Sequence, residues 1–253
     1  MTYWHGQDTG VSDAPRFTRR KLTQKMETFA VLCRLRLGLT EEDIADRCGV
    51  HASTFSRIFR TWIRLMAVML PDLFPWPSRE TIDKYAPPSF SSYPNTRVII
   101  DCTEFYSERP TSVKAQVYTY SSYKSANTFK ALIGISPYGL VTYVSKLWGG
   151  RATDRAITEN CGILDLIEPG DNVMAYRGFG IEDLLAEKKA TLNIPPFRQE
   201  GCSQLSAREV EETRIARVRI HVERVIGQAK NFNIINEIMP ITLVPIADDL
   251  FRV

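Results

Sequence analysis

The chain is short of several things that would place it quickly. None of its five cysteines, at 33, 48, 102, 161 and 202, forms a CxxC pair, which argues against a structural zinc site. Their odd number and wide spacing also argue against a disulfide framework, so a reducing compartment, cytosol or nucleus, is expected. No stretch approaches the roughly 18 uninterrupted apolar residues of a membrane span. The residues from Met1 to Arg16 lack the apolar core of a secretory signal and read as a loose polar tail. Internal repeats and low-complexity tracts are absent. Strong charge of either sign is missing too: the formal net charge is only +3, a slight lean toward an anionic partner.

What is present is an ordinary globular composition, 44% hydrophobic and 24% charged over 253 residues. That is enough chain for one large domain or a small one joined to a medium one. Charge is uneven. From Met1 to Leu70 there are eleven Lys/Arg against seven Asp/Glu, with Arg19-Arg20-Lys21 the densest basic spot. Residues 1–20 are read as a flexible tail, 21–70 as a helical domain, 71–94 as a linker and 95–253 as a mixed α/β domain. The linker assignment rests on six of the fourteen prolines falling between Pro71 and Pro94.

In the helical domain, Thr40-Glu41-Glu42-Asp43 has the form of a capped helix start. Ile44, Ala45 and Cys48 supply its inner face, Gly49 breaks it, and His51-Ala52-Ser53 starts another helix with Phe55, Ile58, Trp62 and Leu65 as its stripe. Two helices around a short Gly-containing turn make a helix-turn-helix pattern. At the start of the second, Ser53, Thr54, Ser56 and Arg57 offer donors to phosphates or base edges. The same pattern also fits a plain helical hairpin with no DNA role.

In the second half, Val98-Ile99-Ile100-Asp101 reads as a buried strand ending on a carboxylate. Thr128 to Ile135 and Leu140 to Leu147 flank the turn Ser136-Pro137-Tyr138-Gly139. Ala156 to Ile167 is expected to be a helix capped by Thr153 or Asp154. Asn172 to Ala175 and Leu192 to Ile194 are further strands, and Ser206 to Asn231 is a long closing helix with a capping box at Ser206 and Glu209. Asp101 on a strand and Glu223 on the last helix have the chemistry of metal ligands for phosphodiester cleavage, which needs carboxylates from distant segments around two metals. Read singly, Asp101 also fits a turn-capping acid, and Glu223 a surface ion pair with Arg219 four residues back. Tyr118, Tyr120 and Tyr123 interleave with Lys114, Lys124 and Lys130. This fits either a nucleic-acid-facing patch or an ordinary β-rich surface.

Longer motifs carry a resemblance. Val98 to Phe105 (VIIDCTEF), Tyr123-Lys124 with Asn127 to Ile135 (NTFKALIGI), Trp148 to Asp154 (WGGRATD), Leu192 to Phe197 (LNIPPF) and Arg219 to Arg224 (RIHVER) occur in order. Together they resemble the PIF/Harbinger-like DDE superfamily endonucleases, which derive from transposases. The likeness runs from about Leu22 over nearly the whole chain, including the helix-turn-helix that precedes the catalytic domain in that family. It implies an α/β, RNase H-like catalytic domain and metal-dependent cutting and joining of DNA. It also implies Mg²⁺ or Mn²⁺ as cofactor, nuclear residence, and action as a homo-oligomer with a second DNA-binding protein. The family's first acid falls on Asp101 and its last on Glu223. Its second acid belongs in a segment reading Ala-Asp-Arg-Gly-Phe, where this chain has Ala175-Tyr176-Arg177-Gly178-Phe179. Tyr176 therefore stands where the resemblance expects an aspartate. A tyrosine has a pKa near 10 and is neutral at pH 7, so impaired or absent cleavage is expected. The family also continues with more helix beyond the position of Val253, which implies a truncated or decayed copy.

Overall fold

A computed structural model describes residues 21–176, 178–194 and 223–253. The chain forms two compact units. One takes the residues up to Leu73 together with Lys230–Val253, and the other takes Phe74–Ala229.

The first unit is helical. α1 (Gln24–Leu37) starts at Thr23, whose side chain accepts from the Met26 N–H, and stops at Gly38, where φ is 69°. α2 (Glu41–Arg47) is capped by Thr40, which accepts from the Asp43 N–H. After the turn at Gly49, with φ 63°, α3 (Ala52–Met69) begins on His51, whose ring nitrogen accepts from the Ser53 N–H. The inner face of α3 shares Phe55 and Ile58 with the expected stripe but continues through Phe59, Ile63 and Ala67, while Trp62 and Leu65 are only half-buried. The fully buried Phe55, Phe59 and Ile63 each contribute roughly 2 kcal/mol of transfer free energy. Arg34 ties α1 to α2. It pairs with Glu41 at 3.4 Å, donates to the Leu39 carbonyl at 2.6 Å and lies over the Phe59 ring. Burial lowers its pKa despite the neighbouring Glu41 and Glu42 carboxylates.

Lys230–Val253 packs in this unit, whereas the sequence reading assigned it to the second domain. Arg60 donates to the Thr242 carbonyl at 3.2 Å and Asn233 to the Leu37 carbonyl at 3.2 Å. Leu243, Ile246 and Leu250 are buried there. The short helices at Asn233–Asn236 and Ala247–Arg252 are too brief to hold together without that packing.

The second unit is a mixed α/β structure. Its centre is β1 (Thr96–Tyr106), flanked by antiparallel β3 (Ala126–Ile135) and parallel β6 (Asn172–Met174). β7 (Thr191–Asn193) lies parallel beyond β6. β2 (Tyr120–Ser121), β4 (Val141–Val144) and β5 (Trp148–Gly149) all pair with β3. The expected turn at 136–139 is closed by Gly139, with φ 88°, and by the Ser136 N–H donating to the Leu140 carbonyl.

Four expectations need correction. β1 does not end at Asp101; it pairs with β3 as far as Tyr106, through the buried Thr103 and Phe105. The helix expected over 156–167 is α6 (Asp154–Asn160), capped by Thr153, and Gly162 at φ 90° separates it from a 3₁₀ turn at Ile163–Leu166. The Pro-rich segment is structured: α4 (Arg79–Tyr85) is capped by Ser78, and Ile82, Phe90 and Tyr93 are buried. The surface expected to be β-rich around Tyr118 instead contains α5 (Val113–Thr119), where Thr119 donates back to the Ala115 carbonyl. α7 is Glu182–Glu187. Of the closing helix expected over Ser206–Asn231, residues 206–222 lie outside the described residues, and 223–229 are helical and form α8.

Candidate functional site

Side chains alternate faces along a strand, and this divides β1. Val98 and Ile100 belong to a buried cluster with Leu132, Ile157 and Phe179, and Cys102 packs against it. Asp101, between Ile100 and Cys102, therefore projects from the opposite face and is half-buried. One of its carboxylate oxygens accepts from the Cys102 N–H at 2.8 Å. On the neighbouring parallel strand, Ile99 pairs with Met174. β6 ends at Met174, and Tyr176 follows two residues beyond the last pair. Val173 and Ala175 join the buried cluster and Met174 does not. Tyr176 is 53% exposed. Glu223 is an exposed residue at the start of α8 as described.

The other face of β1 carries a different constellation. Glu104 and Lys130 are cross-strand partners. The Lys130 ammonium lies 3.2 Å from a Glu104 carboxylate oxygen and 3.2 Å from one of Asp154, at the first turn of α6. Thr128 donates to Glu104 at 3.0 Å. Burial opposes the Lys130 charge, but the Asp154 and Glu104 carboxylates outweigh it and hold the ammonium above its ordinary value. Burial pushes the Cys102 thiol far up, and the nearby Asp154 and Asp101 carboxylates add to the effect. Lys130, expected to meet DNA, is thus already compensated by two carboxylates.

The Trp148-Gly149-Gly150-Arg151 motif has a steric reason. A Cβ on Gly149 would fall 2.2 Å from the Tyr118 carbonyl oxygen, and one on Gly150 2.0 Å from Thr128 Oγ1. Only glycine lets β5 lie this close to the end of α5. The close approach shapes one wall of a cleft of about 830 Å³ lined by Glu104, Lys130, Asp154, Arg151, Tyr120 and Tyr123, among others. The sequence singles out Tyr120, Tyr123 and Lys130 as a patch and Arg151 only within its motif; it does not show that Glu104, Asp154 and Arg151 join them around one cleft.

Asp171 is a further acid of the second unit. It is buried and sits at the far end of β6 from Tyr176. It pairs with Arg79 at 3.1 Å and Arg97 at 3.7 Å and accepts from the Glu168 N–H, which fixes it in a structural network. In the first unit, Ser53 and Arg57 at the start of α3 are exposed, and Thr54 and Ser56 half-buried. All four lie within the first two turns after the Gly49 turn.

Comparison with known families decides the kinship. The family model described as "DDE superfamily endonuclease" matches residues 100–253, and "Helix-turn-helix of DDE superfamily endonuclease" matches residues 20–72. The chain belongs to the DDE superfamily endonucleases. Comparison with curated proteins returns no match. No described helix of this DDE superfamily member is long and apolar enough to cross a membrane.

DDE endonucleases typically use divalent metals. Among the described residues the donor set does not fit one: no three His, Cys, Asp or Glu side chains there form a group able to hold a metal ion. The Glu104 and Asp154 carboxylates are engaged by Lys130. No catalytic step is therefore derived through a metal.

Proposed function

We propose that this chain is a transposase-derived DNA-binding protein of the PIF/Harbinger-like kind with an RNase H-like second domain whose DNA cleavage is impaired. The observation that carries the reading is Tyr176, which follows β6 by two residues and stands where the family motif has its second acid. A divalent-metal site for phosphodiester cleavage needs a charged carboxylate there, and a neutral phenol supplies one weak oxygen instead. Asp101 and Glu223 remain as the first and last acids of the motif. Ser53, Thr54, Ser56 and Arg57 are the residues offered to duplex DNA, with Lys124 on the second unit. Nuclear residence, homo-oligomerisation and a second DNA-binding protein belong to the same reading, and Mg²⁺ or Mn²⁺ would be bound weakly.

The test is nicking of supercoiled plasmid in Mn²⁺ by the native chain, Tyr176→Asp and Asp101→Ala. The proposal expects nicking above the Asp101→Ala blank only with Tyr176→Asp. Equal nicking by the native chain would mean that another residue supplies the ligand, and the impaired reading would be abandoned. A second reading, a DNA-binding scaffold without any cleavage, is favoured by the intact capping and core of α2 and α3. Its mark is duplex binding whose log affinity falls by roughly 0.9 per phosphate neutralised for each unit of log salt.

A further inference from the structure

The cleft in the second unit is built unlike a metal pocket. Tyr123 is 83% exposed, although packing normally hides most of so large a ring. The Lys124 ammonium sits over that ring, 4.9 Å from its centroid, and Tyr120 is a second exposed aromatic on the same wall. Arg109 and Arg151 also line the cleft. Arg109 donates to Gln116 at 2.8 Å, and among the described residues neither arginine, nor Lys124, has an acidic partner in an ion pair. The two lining carboxylates, Glu104 and Asp154, share Lys130 between them. With Arg109, Arg151 and Lys124 added, the cleft and its rim lean positive.

Open aromatic rings beside unpaired cations suit one ligand class. In a duplex the base faces are covered by stacking, so only an unpaired base can lie on a tyrosine ring while its phosphate meets a neighbouring cation. A cleft of about 830 Å³ falls within the range of roughly 300–1,000 Å³ that encloses a small ligand. It therefore suits a nucleotide or two of a strand rather than a double helix. We propose that this cleft holds an unpaired stretch of DNA, stacked on Tyr123 and Tyr120 with phosphates on Arg151, Arg109 and Lys124, without need of a metal ion. This rests on the reading of the chain as a DNA-binding protein and adds to it a second, single-strand site distinct from α3.

The test uses the full chain and the anisotropy of fluorescein-labelled oligothymidylate in EDTA at fixed salt, beside a labelled duplex. The native chain should bind the single strand. Tyr123→Ala should weaken that binding roughly ten-fold, about what one lost base–aromatic stack is worth. Tyr123→Phe, which keeps the ring, should bind like the native chain. Duplex binding should be unchanged by Tyr123→Ala and weakened by Arg57→Ala. The proposal is overturned if oligothymidylate does not bind, or if Tyr123→Ala binds it as tightly as the native chain. Failure of duplex binding alone, with Tyr123-dependent single-strand binding intact, would count against the helix-turn-helix reading and uphold this one.

Discussion

Replacing Lys130 with methionine keeps most of the side-chain volume and removes the cation that bridges Glu104 and Asp154. The Lys130 and Glu104 side chains are 13% and 9% exposed, and Asp154 is 27% exposed. Breaking a fully buried ion pair by removing one partner costs about 3–5 kcal/mol. With Asp154 partly screened by solvent, Lys130→Met should cost about 3 kcal/mol, at the low end of that range. The measurement is urea unfolding followed by circular dichroism at neutral pH. The pH dependence has a defined sign. Because the folded state holds the ammonium above its ordinary value of 10.5, its stabilisation is complete below that pH and is lost as pH rises through the raised value. The gap between native and Lys130→Met should therefore close only in alkali. Adding Glu104→Gln to Lys130→Met should recover part of the loss, since one uncompensated buried charge is gone. A Lys130→Met deficit below about 1 kcal/mol, the level of an exposed pair, that Glu104→Gln leaves unchanged would refute the compensated triad.

Other outcomes follow from the same structure. Gly150→Ala should destabilise the second unit by roughly 2 kcal/mol or more, because its Cβ would fall 2.0 Å from Thr128 Oγ1 and 2.8 Å from the Thr119 carbonyl; a native-like melting temperature would contradict the close packing. Asp171→Asn should cost about 3 kcal/mol, since Arg97 is buried and its partners are Asp171 at 3.7 Å and Glu168 at 3.9 Å, and chemical denaturation measures this. Cys102 should resist iodoacetamide at pH 8 in the folded protein and react once unfolded, because burial and the Asp154 carboxylate hold its thiol protonated. Rapid native-state labelling of Cys102, mapped by peptide mass, would contradict that environment.

The parts legible in the sequence were those governed by local rules. Thr40, the Gly49 turn and the start of the α3 stripe at Phe55 and Ile58 follow from capping and helical period. The hairpin from β3 to β4 follows from Ser136-Pro137-Tyr138-Gly139, and the Thr153 cap from its place before α6. What could not be read depended on register and distant packing. Glu104 and Lys130 meet because β1 and β3 pair in one register, and Asp154 joins them from another element. No spacing in the chain announces that triad. The length of β1 was underestimated because Asp101, Cys102 and Thr103 look like a turn when read singly, and only pairing with β3 keeps them extended. Likewise, Lys230–Val253 was assigned by position, while its buried leucines and isoleucines pack in the first unit. Tyr176 is the opposite case: its significance came from a motif, and it lies two residues past the end of β6.

The central claim is that a phenol where the family motif has its second acid removes a metal ligand, and Mn²⁺ binding measures it without requiring DNA. Titrating free Mn²⁺ by electron paramagnetic resonance with the native chain, Tyr176→Asp, and Tyr176→Asp combined with Asp101→Ala should show tight binding only for the single Tyr176→Asp variant. Equally tight binding by the native chain, lost on Asp101→Ala, would show a complete metal site despite Tyr176 and would contradict the account.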